Sequence, residues 1–217
     1  SIIDSIIDRL YYCVLHWNAM EEIDLQTLLD FTKLTNEYAS IERVIHLAHR
    51  DAQENDLEHA GQLALVSWFL AKRHAPHLSL ERIFQYALAH DLVEVYAGDV
   101  YIHDTNKQKH EQKEANERDA AEKIQKRFPA FSELHTAILG YLNKEDEESV
   151  FVYKVDKLVA PINIYLAQGR TWKEKNVSLE MIIKHKTEKI GEHFPTRNYF
   201  DALRVLLEEN EKKLFVK

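Results

Sequence analysis

The sequence is poor in residues that bend or cross-link a chain, since its 217 residues include only 5 glycines, 4 prolines and 1 cysteine. So few turn-forming residues exclude a sandwich or barrel built from many short strands. Cys13 cannot form an internal disulfide, which favours a reducing, cytoplasmic setting. The composition instead predicts long helices around a core that needs no disulfides.

Basic residues are also scarce, with 28 lysines and arginines against 36 aspartates and glutamates, for a formal net charge of −8. Such a chain is a poor partner for duplex nucleic acid, because affinity for the phosphate backbone depends on Lys and Arg. No apolar run approaches the roughly 20 residues that span a bilayer. The N-terminal stretch contains Asp4 and Asp8 and lacks a basic leader, so we expect no signal or transit peptide. We therefore expect a cytoplasmic protein without membrane contacts, and we leave open whether it forms a homodimer.

Helical periodicity runs through the chain and predicts one all-α domain over residues 1–217. The first residues follow helical spacing, whereas residues 40–55 are less regular. Further predicted helices cover residues 24–39, 56–74, 80–97, 110–127, 131–143, 147–168, 178–191 and 196–214. The sequence contains no internal repeat and no linker long enough to divide it.

Ionisable residues stand where the predicted helix 80–97 should bury its apolar side. The buried stripe that includes Ile83 continues by helical spacing to His90, Asp91 and Glu94. Each buried group costs on the order of several kcal/mol unless it is paired or bound to a metal. A buried ion pair between histidine and carboxylate is the alternative, but three such groups in one turn favour a site.

Two other predicted helices carry an ionisable residue on an apolar face. His59 precedes a leucine-rich stripe and taken alone is more often a core histidine, whereas Asp156 lies among valines and is costly without a cation. Lys157 follows directly, and because neighbours in sequence point to different parts of a helix surface we expect it not to neutralise Asp156. Together, His59, His90, Asp91 and Asp156 form a candidate metal site with two nitrogen and two oxygen ligands.

The order and spacing of these four residues, in a helical setting, resemble the HD superfamily of metal-dependent phosphohydrolases. Three stretches are similar to the branch that contains 5′-deoxynucleotidases: Glu58-His59, the run Ala-His-Asp-Leu-Val-Glu-Val-Tyr-Ala-Gly-Asp over 89–99, and Val-Asp-Lys-Leu over 155–158. The resemblance covers about residues 40–170. Alarmone hydrolases of the superfamily place an acidic pair at the position of Glu94, and here Val95 follows, which favours the nucleotidase branch.

The resemblance implies a helical HD-domain bundle with extra N- and C-terminal helices. It also implies one divalent transition metal, Mn, Co, Fe, Ni or Zn, on the four candidate ligands. The expected partner is a small phosphorylated substrate, a nucleotide, with phosphate released from nucleoside 5′-monophosphates by attack of a metal-bound water. Glu94 would be the general acid or base, and Asp99 would bind sugar hydroxyls or assist proton transfer.

Arg43 occupies the place of a phosphate-binding arginine in the nucleotidase branch, and Lys157 is a further candidate for phosphate binding. That branch has a tryptophan after the arginine, which restricts the sugar pocket, whereas this chain has Val44. We therefore expect ribose and deoxyribose to be accepted alike. Pyrophosphohydrolysis of nucleoside triphosphates, hydrolysis of another small phosphate ester, and a non-catalytic nucleotide-binding module stay open as alternatives.

Overall fold

The computed structural model describes residues 24–98 and 107–216, with only the backbone described for residues 107–112. The predicted N-terminal helix and Asp99 lie outside these residues. Two compact units divide between Lys33 and Leu34. Within the described residues, the first unit contains only the start of the helix Leu25–Ala39, and the second contains the rest of that helix and every later element. The prediction of one domain over the whole chain stays a prediction.

Helices make up nearly all regular structure in the described ranges, which confirms the all-α prediction. The elements are α1 (Leu25–Ala39), β1 (Glu42–His46), β2 (Gln53–Asn55), α2 (Asp56–His74), α3 (Leu80–Ala89), α4 (Glu94–Ala97), α5 (Lys107–Arg127), α6 (Ser132–Asn143), α7 (Glu147–Leu166), α8 (Arg170–Glu174), α9 (Leu179–Ile190), α10 (Thr196–Glu209) and α11 (Glu211–Leu214). Among the described residues, no helix combines the length and apolar character needed to cross a membrane.

A short antiparallel hairpin occupies the stretch that the sequence left irregular. Strands β1 and β2 pair with Glu42 opposite Asn55 and His46 opposite Gln53, and a register irregularity lies between these pairs. The next residue after β2 begins α2. The hairpin therefore leads directly into the helix that carries His59.

The start of α2 is fixed by reciprocal capping. The Oδ1 of Asn55 accepts the backbone N–H of Glu58 at 2.9 Å, and the Glu58 carboxylate accepts the N–H of Asn55 at 3.1 Å. This pattern satisfies two backbone donors that the first turn of a helix leaves without partners. It also sets where α2 begins, and thereby the direction in which His59 points into the interior.

The predicted helix over 80–97 is interrupted, which corrects that expectation. After α3, the N–H of Leu92 bonds to the carbonyl of Ala89 at 3.2 Å, and the N–H of Glu94 bonds to that of Asp91 at 2.9 Å. These bonds span three residues and form tight turns between α3 and α4. His90 and Asp91 therefore lie in a turn and not on one regular helix face.

The helices of the second unit bury two groups of side chains. Helices α2, α3, α6 and α7 pack together around fully buried residues that include Leu63, Ile83, Ile138 and Leu158. A second group, here called the hydrophobic cluster, connects β1 and the end of α7 with the C-terminal helices. Its members are Ile45, Ile164, Trp172, Val177, Leu179, Ile182, Leu203, Leu207, Leu214 and Phe215.

Candidate metal centre

The candidate ligands reach one place from three elements. His59 comes from the first turn of α2, His90 and Asp91 from the turn after α3, and Asp156 from the middle of α7. One ligand atom from each of His59, His90 and Asp91 lies within 4.8 Å of the others. The two histidines are buried, and the side chain of Asp91 is 21% exposed. The structure thus brings three of the predicted ligands into one cluster.

Asp156 adjoins this cluster through His59. Its Oδ1 lies 3.0 Å from Nε2 of His59, and its Oδ2 lies 2.6 Å from Nζ of Lys157. The expectation that Lys157 would not pair with Asp156 was wrong. The flexible four-carbon stem of lysine carries the ammonium group back to the neighbouring carboxylate, whatever direction the two Cβ atoms take.

Each imidazole ring is oriented by a contact at its Nδ1 atom, on the side opposite Nε2. Nδ1 of His90 donates to the carbonyl of Ala87 at 2.9 Å, which leaves Nε2 2.9 Å from an oxygen of Asp91. Nδ1 of His59 lies 3.4 Å from the Glu54 carboxylate. Such contacts to the far ring nitrogen fix the nitrogen that faces a metal.

Arg43 lies against the acidic groups of this cluster. Its Nη1 donates to Asp91 at 2.7 Å and to Asp56 at 2.9 Å, and its Nε is 3.5 Å from Glu54. The predicted phosphate-binding arginine therefore contacts a candidate metal ligand directly. Its Nη2 forms no hydrogen bond with the described residues, which leaves that nitrogen for another ligand.

Glu54 and Asp56 belong to the site but were missed in the sequence. Both are buried, and they contact His59 and Arg43 respectively. Glu54 stands in the polar stretch before α2 and Asp56 is the first residue of that helix, and at both places carboxylates usually face solvent. The sequence contains no signal for Glu54, because all three residues of β2 are polar, and only the structure shows that Glu54 is the buried one.

The charges of the cluster depend on each other. Burial acts to raise the pKa of Asp91, but His90 and Arg43 hold it well below its usual value. Burial and Arg43 act to lower the pKa of His59, yet hydrogen bonds to Asp156 and Glu54 raise it to about 9. A proton on His59 thus competes with any metal ion that binds there.

The residues present fit a divalent transition metal. Two imidazole nitrogens and a carboxylate oxygen suit Mn, Fe, Co, Ni or Zn. Nε2 of His90 is buried and makes no well-directed hydrogen bond with the described residues, although it faces Asp91. A buried nitrogen of this kind is costly unless an ion or a polar group satisfies it.

A cavity of about 720 Å³ begins at His90 and Asp91. The ring of Tyr141 lies 5.4 Å from that of His90, edge to face, at this inner end. The same cavity is lined by Lys113, Lys157 and Tyr153. Its volume lies within the range of small-molecule sites, roughly 300–1,000 Å³.

Glu94 and Asp99 are the two predicted catalytic carboxylates. Glu94 opens α4 and is buried, with its Oε1 4.0 Å from Nζ of Lys113, which lines the cavity. Asp99 follows the described range. Val44, the residue linked to sugar selection, is partly buried and packs against the hydrophobic cluster.

Comparison with known proteins identifies the family. A model described as HD domain matches residues 36–198, three quarters of the chain. The chain belongs to the HD domain family. This confirms the resemblance at the level of the superfamily, and the deoxynucleotidase-like branch stays a prediction.

A solved structure shows the same fold. It is described as a predicted metal-dependent phosphohydrolase from Magnetospirillum magnetotacticum MS-1, and it is 24% identical to this chain. The match covers 89% of this chain and 96% of that one, with a TM-score of 0.75. No curated protein matches the chain.

Proposed function

We propose that this HD-domain protein is a metal-dependent phosphohydrolase that releases phosphate from nucleoside 5′-monophosphates. The observation that carries the proposal is the convergence of His59, His90 and Asp91 within 4.8 Å at the inner end of a cavity. The description of the Magnetospirillum protein supports the same class of reaction. The size of the cavity and its two tyrosine rings, Tyr141 and Tyr153, support a nucleotide-sized substrate.

One divalent transition metal would be held by His59, His90 and Asp91, with Asp156 as the fourth ligand. When bound, such a metal polarises a phosphoryl oxygen and lowers the pKa of water to near neutrality. The hydrogen bond from Nδ1 of His90 to the carbonyl of Ala87 would orient that ring toward the metal. The contact of Nδ1 of His59 with Glu54 would orient the second ring. Asp91 is held in place by Arg43.

Cationic side chains would position the phosphate. Arg43 already donates through Nη1 to two carboxylates, so its Nη2 is the nitrogen that presents N–H groups to a phosphate oxygen. Lys157 lines the cavity and sits beside Asp156, where its ammonium group can contact the same phosphate. These contacts orient the phosphorus for attack and neutralise its charge.

Glu94 would act as the general acid or base of the reaction. Its carboxylate is buried, with Oε1 4.0 Å from Nζ of Lys113, and Lys113 lines the cavity. An Oε atom of Glu94 can take a proton from the attacking water or deliver one to the leaving oxygen. Asp99, which the resemblance places at the sugar, would bind the ribose hydroxyls.

Product analysis with metal-loaded protein tests the proposal. The protein is incubated with Mn²⁺, Co²⁺ or Zn²⁺ and with separate nucleoside mono- and triphosphates, and phosphate and pyrophosphate are measured. We expect phosphate from the monophosphates and its loss in Asp91→Ala. Pyrophosphate from triphosphates would instead support the pyrophosphohydrolase alternative. Binding without any product would support the non-catalytic module.

A further inference from the structure

The outer end of the cavity includes two lysines that form no ion pair with the described residues, although Glu114, Glu117 and Glu188 also line the cavity. Lys144, at the C-terminal end of α6, and Lys189, near the end of α9, both line the cavity that begins at Asp91. Within the described ranges, neither ammonium group forms an ion pair. By contrast, the inner cations are paired, since Lys113 contacts Glu117 at 3.5 Å and Lys157 contacts Asp156.

Tyr153 connects this outer end with the metal centre. Nζ of Lys144 lies 4.7 Å from the centre of the Tyr153 ring, and Nζ of Lys157 lies 5.0 Å from the same point. Cation–π contacts of this kind hold ammonium groups over a ring. Lys144 and Lys157 therefore share the ring of Tyr153, and Lys157 connects that ring with Asp156.

Both the backbone and the charge of Lys144 are in unfavourable surroundings. Lys144 has a φ of 52°, in the left-handed region that usually holds glycine or asparagine after a helix. Burial and the nearby Lys157 lower the pKa of Lys144, even though Glu114 acts in the opposite sense. Glu114, Glu117 and Glu188 also line the cavity, but Lys144 and Lys189 form no ion pair with them, so both ammonium groups keep donors for an anionic ligand.

We infer that the outer end, formed by Lys144, Lys189 and Tyr153, binds a second phosphate group of the substrate, remote from the one that is hydrolysed. The preferred substrates are then organic bisphosphates, such as nucleoside 3′,5′-bisphosphates, over the corresponding monophosphates. This inference rests on the proposed function for the phosphate at the metal. Both ends lie in one cavity of about 720 Å³, which a single nucleotide can span.

Matched substrates and variants test the inference. We compare AMP with adenosine 3′,5′-bisphosphate, by kcat/KM for phosphate release and by calorimetric binding to the metal-loaded protein. Lys144→Asn removes the charge and keeps a residue that tolerates a positive φ. Lys189→Gln removes the second charge, and Lys72→Gln removes one charge from an exposed position on α2 as a control.

We expect the bisphosphate to bind more tightly than AMP, and its preference to fall by about 10-fold in Lys144→Asn, as for loss of one charge-assisted contact. Lys189→Gln should act in the same direction, and Lys72→Gln should leave the preference unchanged. Equal preference for the two ligands in the wild type would overturn the inference, and so would an unchanged preference in both lysine variants. If neither ligand is hydrolysed but the bisphosphate still binds more tightly through Lys144, the proposed function fails and this inference stands.

Discussion

Two buried regions share β1 and α7 but are built from different side chains. At the metal centre, Arg43 and Asp156 join histidines and carboxylates that are held by each other's charges. In the hydrophobic cluster, Ile45 and Ile164 from the same two elements pack with other buried apolar side chains. The cluster gains free energy from removing apolar surface from water, whereas the centre must offset the cost of buried charges by pairing them.

This difference predicts which residues tolerate substitution. An apolar side chain in the cluster contributes to stability through the apolar surface that it buries, so we expect its substitution to change stability and not chemistry. A charged residue in the centre is tied to a fixed set of partners, and removing one leaves the others buried without neutralisation. The following experiments compare the effects of substitutions in the two regions on metal binding, activity and stability.

The largest effect should follow removal of a ligand from the centre. His59→Ala takes away one imidazole and leaves Asp156 and Glu54 without their shared partner. We expect no stoichiometric metal by elemental analysis and no measurable phosphate release. His77→Ala, an exposed histidine on the surface, is the control and should retain both. Full metal content in His59→Ala would refute the ligand assignment.

The hydrophobic cluster should respond in stability alone. Trp172 is 1% exposed and stacks on Phe215 with ring centres 4.8 Å apart. Trp172→Ala should lower the free energy of unfolding by about 3–5 kcal/mol, measured by urea denaturation. Below the transition, metal affinity should match the wild type. A loss of metal in the folded Trp172→Ala protein would show that the two regions are coupled, and the milder Trp172→Phe would then measure how strongly.

Substitution of Glu94 should distinguish loss of turnover from loss of metal binding. Glu94→Gln keeps the shape of the side chain but cannot exchange the proton, so turnover should fall by roughly 10²-fold or more while metal content is unchanged. Glu117→Gln is a matched control, because Glu117 also contacts Lys113. An equal loss in both variants would assign the effect to Lys113, and a loss of metal in Glu94→Gln would make Glu94 a ligand.

Glu54 should have a smaller effect, because it acts through His59. Glu54→Gln removes the charge that faces Nδ1 of His59 and should weaken metal affinity by about 10- to 100-fold. Glu58→Gln changes a carboxylate on the same segment that pairs with Arg50 instead. Metal titration followed by calorimetry distinguishes the two. Equal affinities in both variants would remove Glu54 from the site.

The sequence predicted the bounds of an element well where residues near its ends mark them. The bounds of α2 were predicted as they are found, because the apolar helical pattern begins after Asn55 and Pro76 follows the end of the helix. The break after α3 was missed, since apolar spacing continues past Ala89 into α4 and periodicity alone cannot show a tighter turn. The hairpin was missed because its strands are short and largely polar.

The candidate site was predicted in part for similar reasons. His59, His90, Asp91 and Asp156 stand out because each breaks an apolar stripe. Their surroundings depend on contacts between distant segments, which no local pattern records. Arg43 and Asp91, for example, are 48 residues apart in the chain and 2.7 Å apart in the structure.

The smallest expected effect concerns the sugar and falls on the strand that joins the two regions. On β1, Arg43 contacts the metal centre, while the next residue, Val44, packs against the hydrophobic cluster. A small side chain here leaves the sugar uncrowded, and a pocket that merely accommodates a hydroxyl discriminates by roughly 10²-fold at most. We therefore expect kcat/KM for AMP and dAMP to lie within about that factor.

Val44→Trp sharpens this test, because it restores the bulk that the nucleotidase branch has after its arginine. If position 44 borders the sugar, the variant should shift preference toward dAMP. If its side chain belongs wholly to the hydrophobic cluster, the larger ring should instead lower stability, by about 1–3 kcal/mol for an overpacked core, and leave the ratio of AMP to dAMP unchanged. A strong preference for dAMP in the wild type would show that a residue other than Val44 excludes the 2′-hydroxyl. Measuring both the ratio and the unfolding free energy in one variant thus assigns Val44 to one region or the other.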